Sequence, residues 1–186
     1  MPESSPTDGS RRPAPRAATA DRVASGEGAV ALGPDLEALA EITAREAQEF
    51  LDTVTEVAAG NSPEAAVPLL LLAVSDISAA GARLGAIVDV LPEERFEPDD
   101  GPEPDIDPLN VALANLFAEL DDYLTVTDPL LSGEVSAGSL SGDVAAIAQA
   151  LSQGLVHSRA GHAAEALWWW QYSYFASWGD CAANVL

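Results

Sequence analysis

The sequence has no lysine, one cysteine and two histidines. A single thiol, Cys181, excludes an intrachain disulfide and a cysteine-based zinc site, and it suits a reducing cytoplasm. His157 and His162 are five residues apart. A helix-borne zinc pair needs a spacing of four, and a di-iron bundle needs repeated Glu-x-x-His pairs, so neither metal centre is expected. Eight arginines face thirty acidic residues, for a net charge of −22. Residues 1–30 are neutral, so the whole excess lies on 31–186. Phosphate backbones and anionic lipids repel such a surface, and nucleic-acid binding needs a clustered basic footprint that is missing. Neither nucleic acid nor membrane is expected as a partner, and the location expected is the cytoplasm. After Arg11-Arg12 comes Pro-Ala-Pro-Arg rather than an apolar run, which argues against a secretory signal. The most hydrophobic stretch, Pro68 to Leu91, is interrupted by Asp76 and Arg83 short of the ~20 apolar residues of a membrane span.

What is present is mostly alanine, leucine and valine in helical spacing. Residues 1–33 are rich in Pro, Ser, Gly, Ala and Arg and read as a disordered tail, because they cannot bury enough surface to offset ordering entropy. Residues 34–186 read as a single helical domain. Pro34 opens a first helix that Gly60 should stop near Ala59, with Leu36, Leu39, Ala40, Ala47, Phe50, Val54 and Val57 on one stripe. Ser62-Pro63 starts a second helix, expected to run to about Val90 and, with Leu69 to Val74 on all sides, to be buried on most faces. An acidic, proline-rich loop covers about 92–107. A third helix is expected at 108–124 on the spacing of Leu109, Leu113, Leu116, Leu120, Tyr123 and Leu124, followed by a polar loop from Thr125 to about Ser139. A fourth helix should run from near Ser141 to the glycine stop at Gly161, and a fifth from His162 to the end. The small residues Gly154, Gly161 and Ala166, with Trp170, resemble one tetratricopeptide hairpin in part. No second copy follows at the repeat period, so the expectation is a tight helical hairpin rather than a repeat array.

The fifth helix holds all four tryptophans, and aromatics of this size dominate burial energetics. On a helical wheel Leu167, Tyr174, Trp178 and Val185 line one face, flanked by Trp170, Phe175 and Cys181. Gln171 falls inside the apolar arc at about 40° from Leu167, so it should be buried and hydrogen-bonded. Trp169 points into a polar sector with Ser173 and Asp180. Either a neighbouring helix covers Trp169, or, if it is exposed, these three form a candidate contact for a protein partner or a second copy, because an exposed tryptophan among small polar residues suits an anchor.

Few residues suggest chemistry. Nothing marks a nucleophile elbow, and Cys181 on the inward side reads as a small inert hydrophobe. Asp76 shares a face of the second helix with Leu69, Leu72 and Ala80. It is expected either in a polar lock with Arg83 or Arg159, or as the floor of a pocket lined by Trp170, Gln171, Tyr174 and Trp178. No catalytic residue, cofactor or metal is assigned.

Four stretches carry a family likeness: Pro-Leu-Leu-Leu-Leu-Ala-Val-Ser-Asp-Ile (68–77), Ala-Gly-Ala-Arg-Leu (80–84), Gly-Ser-Leu-Ser-Gly-Asp-Val-Ala-Ala-Ile (138–147) and the Trp-rich run ending Ser-Trp-Gly-Asp-Cys (177–181). Over about residues 40–186 the chain resembles the uncharacterised actinobacterial family known as domain of unknown function 5063. The resemblance implies an α-helical cytoplasmic domain and transfers no catalytic residue. The overall expectation is an all-α bundle of about five helices acting as a non-catalytic interaction domain through its Trp-rich C-terminal hairpin. The alternative is a small-molecule-binding or enzymatic bundle with an internal Trp/Tyr-lined pocket.

Overall fold

The computed structural model describes residues 32–92, 104–126, 130 and 133–186. The expected tail, 1–33, falls outside these residues except for its last two, and so does most of the acidic loop at 92–107. The chain forms α1 (Pro34–Ala58), α2 (Pro63–Gly85), α3 (Asp107–Phe117), a 3₁₀ turn (Ala118–Leu120), β1 (Asp122–Val126), β2 (Val135–Ser139) and α4 (Leu140–Arg159). It closes with α5 (Ala163–Ser173), a π-helical turn (Tyr174–Trp178) and α6 (Gly179–Val185), which follow one another without a break as a fifth helical rod. The fold is the expected helical bundle with one small hairpin added.

Local chemistry accounts for most boundaries. Pro34 and Pro63 occupy the first helical turns, where a missing N–H costs nothing. Gly60 and Gly161 follow α1 and α4 with φ of 68° and 85°, a conformation that a β-carbon disfavours. In α1 the residues Ala40, Thr43, Ala47, Phe50, Val54 and Val57 are buried at three- and four-residue intervals, one stripe against α2 and α4. Helix α4 lies at the centre, packed on α1, α3, α5 and α6. Ten of its twenty residues are buried, and small residues such as Ala145, Ala148 and Gly154 let its neighbours approach.

Two expectations about α2 need correction. It ends at Gly85 rather than near Val90, and it is not buried all round. Ala66, Leu70, Ala73, Val74, Ile77, Ala80, Gly81 and Leu84 face the bundle, whereas Val67, Leu69, Leu71 and Leu72 are exposed. Among the described residues α1 and the fifth rod flank the helix, and the apolar run exceeds what they cover. With 23 residues α2 is also long and apolar enough, by length and composition alone, to cross a membrane, despite the interruptions that argued otherwise.

The third helix is also shorter than its apolar spacing suggests. It stops at Phe117, and Ala118 takes a φ of 47°, which ends the helical winding. The expected end of the helix and the expected loop instead pair as antiparallel strands, with Asp122 opposite Ser139 and Val126 opposite Val135. Leu124, assigned to the buried stripe, is 75% exposed. The hairpin is fastened to the start of α4. One Asp121 carboxylate oxygen accepts from the Ser141 N–H and the other from its hydroxyl, both at 2.7 Å. The Ser139 hydroxyl accepts from the Gly142 N–H as N-cap. These bonds satisfy donors that α4 would otherwise leave unpaired, and they fasten the paired strands β1 and β2 to its first turn.

Candidate functional site

The fifth rod carries most of the singled-out residues, and its winding decides where each one points. Through α5 the α-helical period holds. Ala164, Ala166, Leu167, Trp170, Gln171 and Ser173 are buried, a face about half the circumference wide. At Tyr174 the backbone enters a π-helical turn, which accommodates one extra residue and rotates everything downstream by roughly 100°. A single wheel drawn through 162–186 therefore fails beyond Ser173. Trp178 and Val185 are buried as expected, but Phe175, placed beside the buried line, is 65% exposed.

The candidate contact of Trp169, Ser173 and Asp180 is not assembled. Trp169 is half-buried against α4, and its indole N–H donates to the Ala150 carbonyl at 2.8 Å. The Ser173 hydroxyl is buried and turns back to the Trp169 carbonyl at 2.6 Å. Asp180 is exposed, beyond the π turn. The polar sector of the wheel is thus occupied at Trp169 by the flank of α4, whose backbone offers the acceptor the indole needs.

The candidate pocket or lock is likewise dispersed. Asp76 is exposed, and among the described residues it enters no ion pair or side-chain hydrogen bond. Arg83 pairs with Glu46 of α1 at 2.5 Å, and Arg159 donates to Gln48 of α1 at 2.6 Å. Trp170 and Trp178 are fully buried, each laid over a glycine. A β-carbon on Gly154 would overlap the Trp170 indole, and one on Gly81 would overlap Trp178 and Tyr174. These rings are packed into the core rather than lining a space shared with Asp76. At ~25 cal/mol per Å² and 150–250 Å² each, they contribute about 4–6 kcal/mol apiece. The Trp170 N–H donates to the Leu151 carbonyl at 3.2 Å. The Trp178 N–H is buried without an acceptor among the described residues.

Gln171 is buried and bonded, as its position on the wheel suggests. Its amide donates to the carbonyls of Leu84 at 3.0 Å and Val88 at 3.4 Å, and it accepts from the Val90 N–H at 3.0 Å. Carbonyls in the last turn of α2 lack intrahelical donors, and Gln171 supplies one from another helix.

Two groupings escaped the sequence reading. The first is an outward stripe on the fifth rod. Trp168 stacks on Tyr172, with ring centroids 5.5 Å apart and planes at 11°. Phe175, one turn beyond Tyr172, is also exposed; its ring packs on Tyr174, with centroids 5.4 Å apart, and lies 3.2 Å from where a β-carbon on Gly85 would sit. Tyr172 is 55% exposed. The spacing i, i+4, i+7 places Trp168, Tyr172 and Phe175 along one side of a helix. The second grouping joins the hairpin to α4 and α6: the Tyr123 hydroxyl donates to Asp143, with Cys181 and Asn184 beside them. Burial first, then the Asp143 charge and hydrogen bond, push the Cys181 thiol up to about 11. Burial first, then the hydrogen bond to Asp143, push Tyr123 up to about 12. A thiol held protonated at neutral pH is a poor nucleophile, which agrees with the inert reading of Cys181. Among the described residues no three His, Cys, Asp or Glu side chains gather as a metal site.

The model of the family described as a domain of unknown function (DUF5063) matches residues 34–186, and the chain belongs to that family. No curated protein and no solved structure matches it.

Proposed function

We propose that this DUF5063 member is a non-catalytic interaction domain whose Trp-rich C-terminal helix contacts a protein partner through the outward stripe Trp168–Tyr172–Phe175. The observation that carries the reading is the Trp168–Tyr172 stack, with the exposed Phe175 one turn further along the rod. Tryptophan and tyrosine are the residues most enriched at binding hot spots. A ring already stacked in the free protein loses little further freedom on binding. Charge points to the partner's character: a chain with net charge −22 favours a basic surface that brings its own apolar anchor. The single cysteine suits a reducing compartment, and the cytoplasm is part of the same proposal.

The test is a photo-crosslinking side chain placed at Phe175 in the full chain and, as control, at exposed Glu56 of α1. The expected result is an adduct from position 175 that disappears when Tyr172→Ser is added. No adduct at 175, or adducts insensitive to Tyr172→Ser, would refute the contact.

A further inference from the structure

The outer face of α2 has a repeat that the bundle does not use. Leu69, Leu72, Asp76, Ala79, Arg83 and Ala86 follow one another at intervals of three and four, the seam spacing of a helix that pairs with another helix. All six are exposed, Leu72 at 59%. This seam borders α1, where Arg83 meets Glu46, and lies away from the Phe175 side of the helix.

We infer that the seam is the interface for a second copy of this chain, with the two α2 helices antiparallel about a twofold axis close to Ala79. The two charged residues on the seam select this arrangement. Asp76 and Arg83 are two helical turns apart, so an antiparallel pair sets each Asp76 against the other copy's Arg83, twice. A parallel pair in register would oppose like charges, which costs affinity. The contact is isologous, as a twofold interface requires. Ala79 at its centre lets the backbones approach closely. Arg83 can serve two carboxylates, because Glu46 engages only its Nη2 and the guanidinium has five donors in all.

Electrostatics favours this face over the others. Helix α2 contains only Glu64, Asp76 and Arg83 as charged residues, in a chain of net charge −22. Two such chains repel least where neither presents uncompensated charge. Long-range repulsion is screened over about 10 Å at 0.1 M salt, whereas the close Asp76–Arg83 pairs are screened less. Moderate salt therefore tightens the dimer.

The test is sedimentation of the full chain across the micromolar range. The expected result is a concentration-dependent dimer that tightens between low and moderate salt. Leu72→Glu and Asp76→Arg should each weaken it by about tenfold or more. Combining Asp76→Arg with Arg83→Asp and Glu46→Gln should recover it, since the exchanged charges still pair across the axis and Glu46→Gln removes the carboxylate that would otherwise oppose the new one at position 83. A second measurement avoids folding defects: in a Cys181→Ser background, Ala79→Cys should oxidise to a covalent dimer and Val67→Cys should not. A wild-type chain that stays monomeric at every concentration overturns the inference, even if vesicle co-sedimentation then places the face on a lipid surface. So does a dimer indifferent to Leu72→Glu and Asp76→Arg.

Discussion

The indole of Trp170 occupies the volume that a side chain at Gly154 would need. Helix α4 offers that ring a bare strip of backbone, and the Leu151 carbonyl fixes its orientation through the indole N–H. The absence of a side chain at one position and the size of the ring at the other form a single packing element.

Gly154→Ala should therefore destabilise the protein although alanine favours helix. The clash is with a ring fixed on all sides, and overpacking of this kind costs about 1–3 kcal/mol. Intrinsic propensity would return at most about 1 kcal/mol. Urea unfolding monitored by tryptophan fluorescence measures the difference, and a stabilised variant would contradict the packing described.

Trp170→Phe and Trp178→Phe are similar losses of volume with different hydrogen-bond consequences. Trp170 gives up a bond to Leu151, whereas Trp178 gives up a buried N–H that has no acceptor among the described residues. An unpaired buried donor carries a penalty of about 1–3 kcal/mol. Trp178→Phe should thus be the milder substitution by about 1 kcal/mol or more in thermal or chemical unfolding. Equal costs would show that the two indoles are equally satisfied.

Gln171→Leu keeps the approximate size of the side chain but leaves the Val90 N–H and the Leu84 carbonyl without their partner. The expected cost is about 2–3 kcal/mol, with early hydrogen exchange confined to residues 86–91. Protection that is unchanged at Val90 would argue against Gln171 as the latch.

Cys181 and Tyr123 give the protein an alkaline limit. Both pKa values are higher in the folded state, about 11 against 9.0 and about 12 against 10.0. The folded state therefore holds these protons more tightly. Their contribution is complete below about pH 9 and is lost as pH rises through 11 and 12. Stability should decline over that window, and less steeply in Tyr123→Phe. Alkylation of Cys181 should be slow at pH 8 and should quicken in Asp143→Asn, which removes the neighbouring charge. Fast alkylation of the wild type at pH 8 would rule out a protonated thiol.

Helix starts and stops were legible wherever one residue type imposes them, at Pro34, Gly60, Ser62-Pro63 and Gly161. Gln171 was legible because a lone amide in an apolar arc must be bonded. The hairpin was not. Leu116, Leu120, Tyr123 and Leu124 keep helical spacing, and the break occurs at Ala118, a residue with no turn signature. Asp76 was misplaced for a different reason. An apolar run shows that surface is available for burial but not how many neighbours arrive to cover it, and among the described residues α2 received two. Phe175 was misassigned because a wheel assumes one period over its whole length, and the cover of Trp169 by α4 stayed open because a wheel drawn for one helix does not show its neighbours.

That period is interrupted at Tyr174–Trp178, and the interruption gives the rod a single-residue tolerance in length. A π-helical turn holds one residue more than the α-helical turn it replaces. Deleting Ala176, an exposed residue, would therefore let the rod rewind as a plain α-helix with Ala182 and Val185 still on the face they now occupy. A shortening by one should be absorbed here, whereas a shortening by two should turn both residues out of the interior. Sequences aligned to this one should tolerate the loss of one residue across 174–178 but not of two.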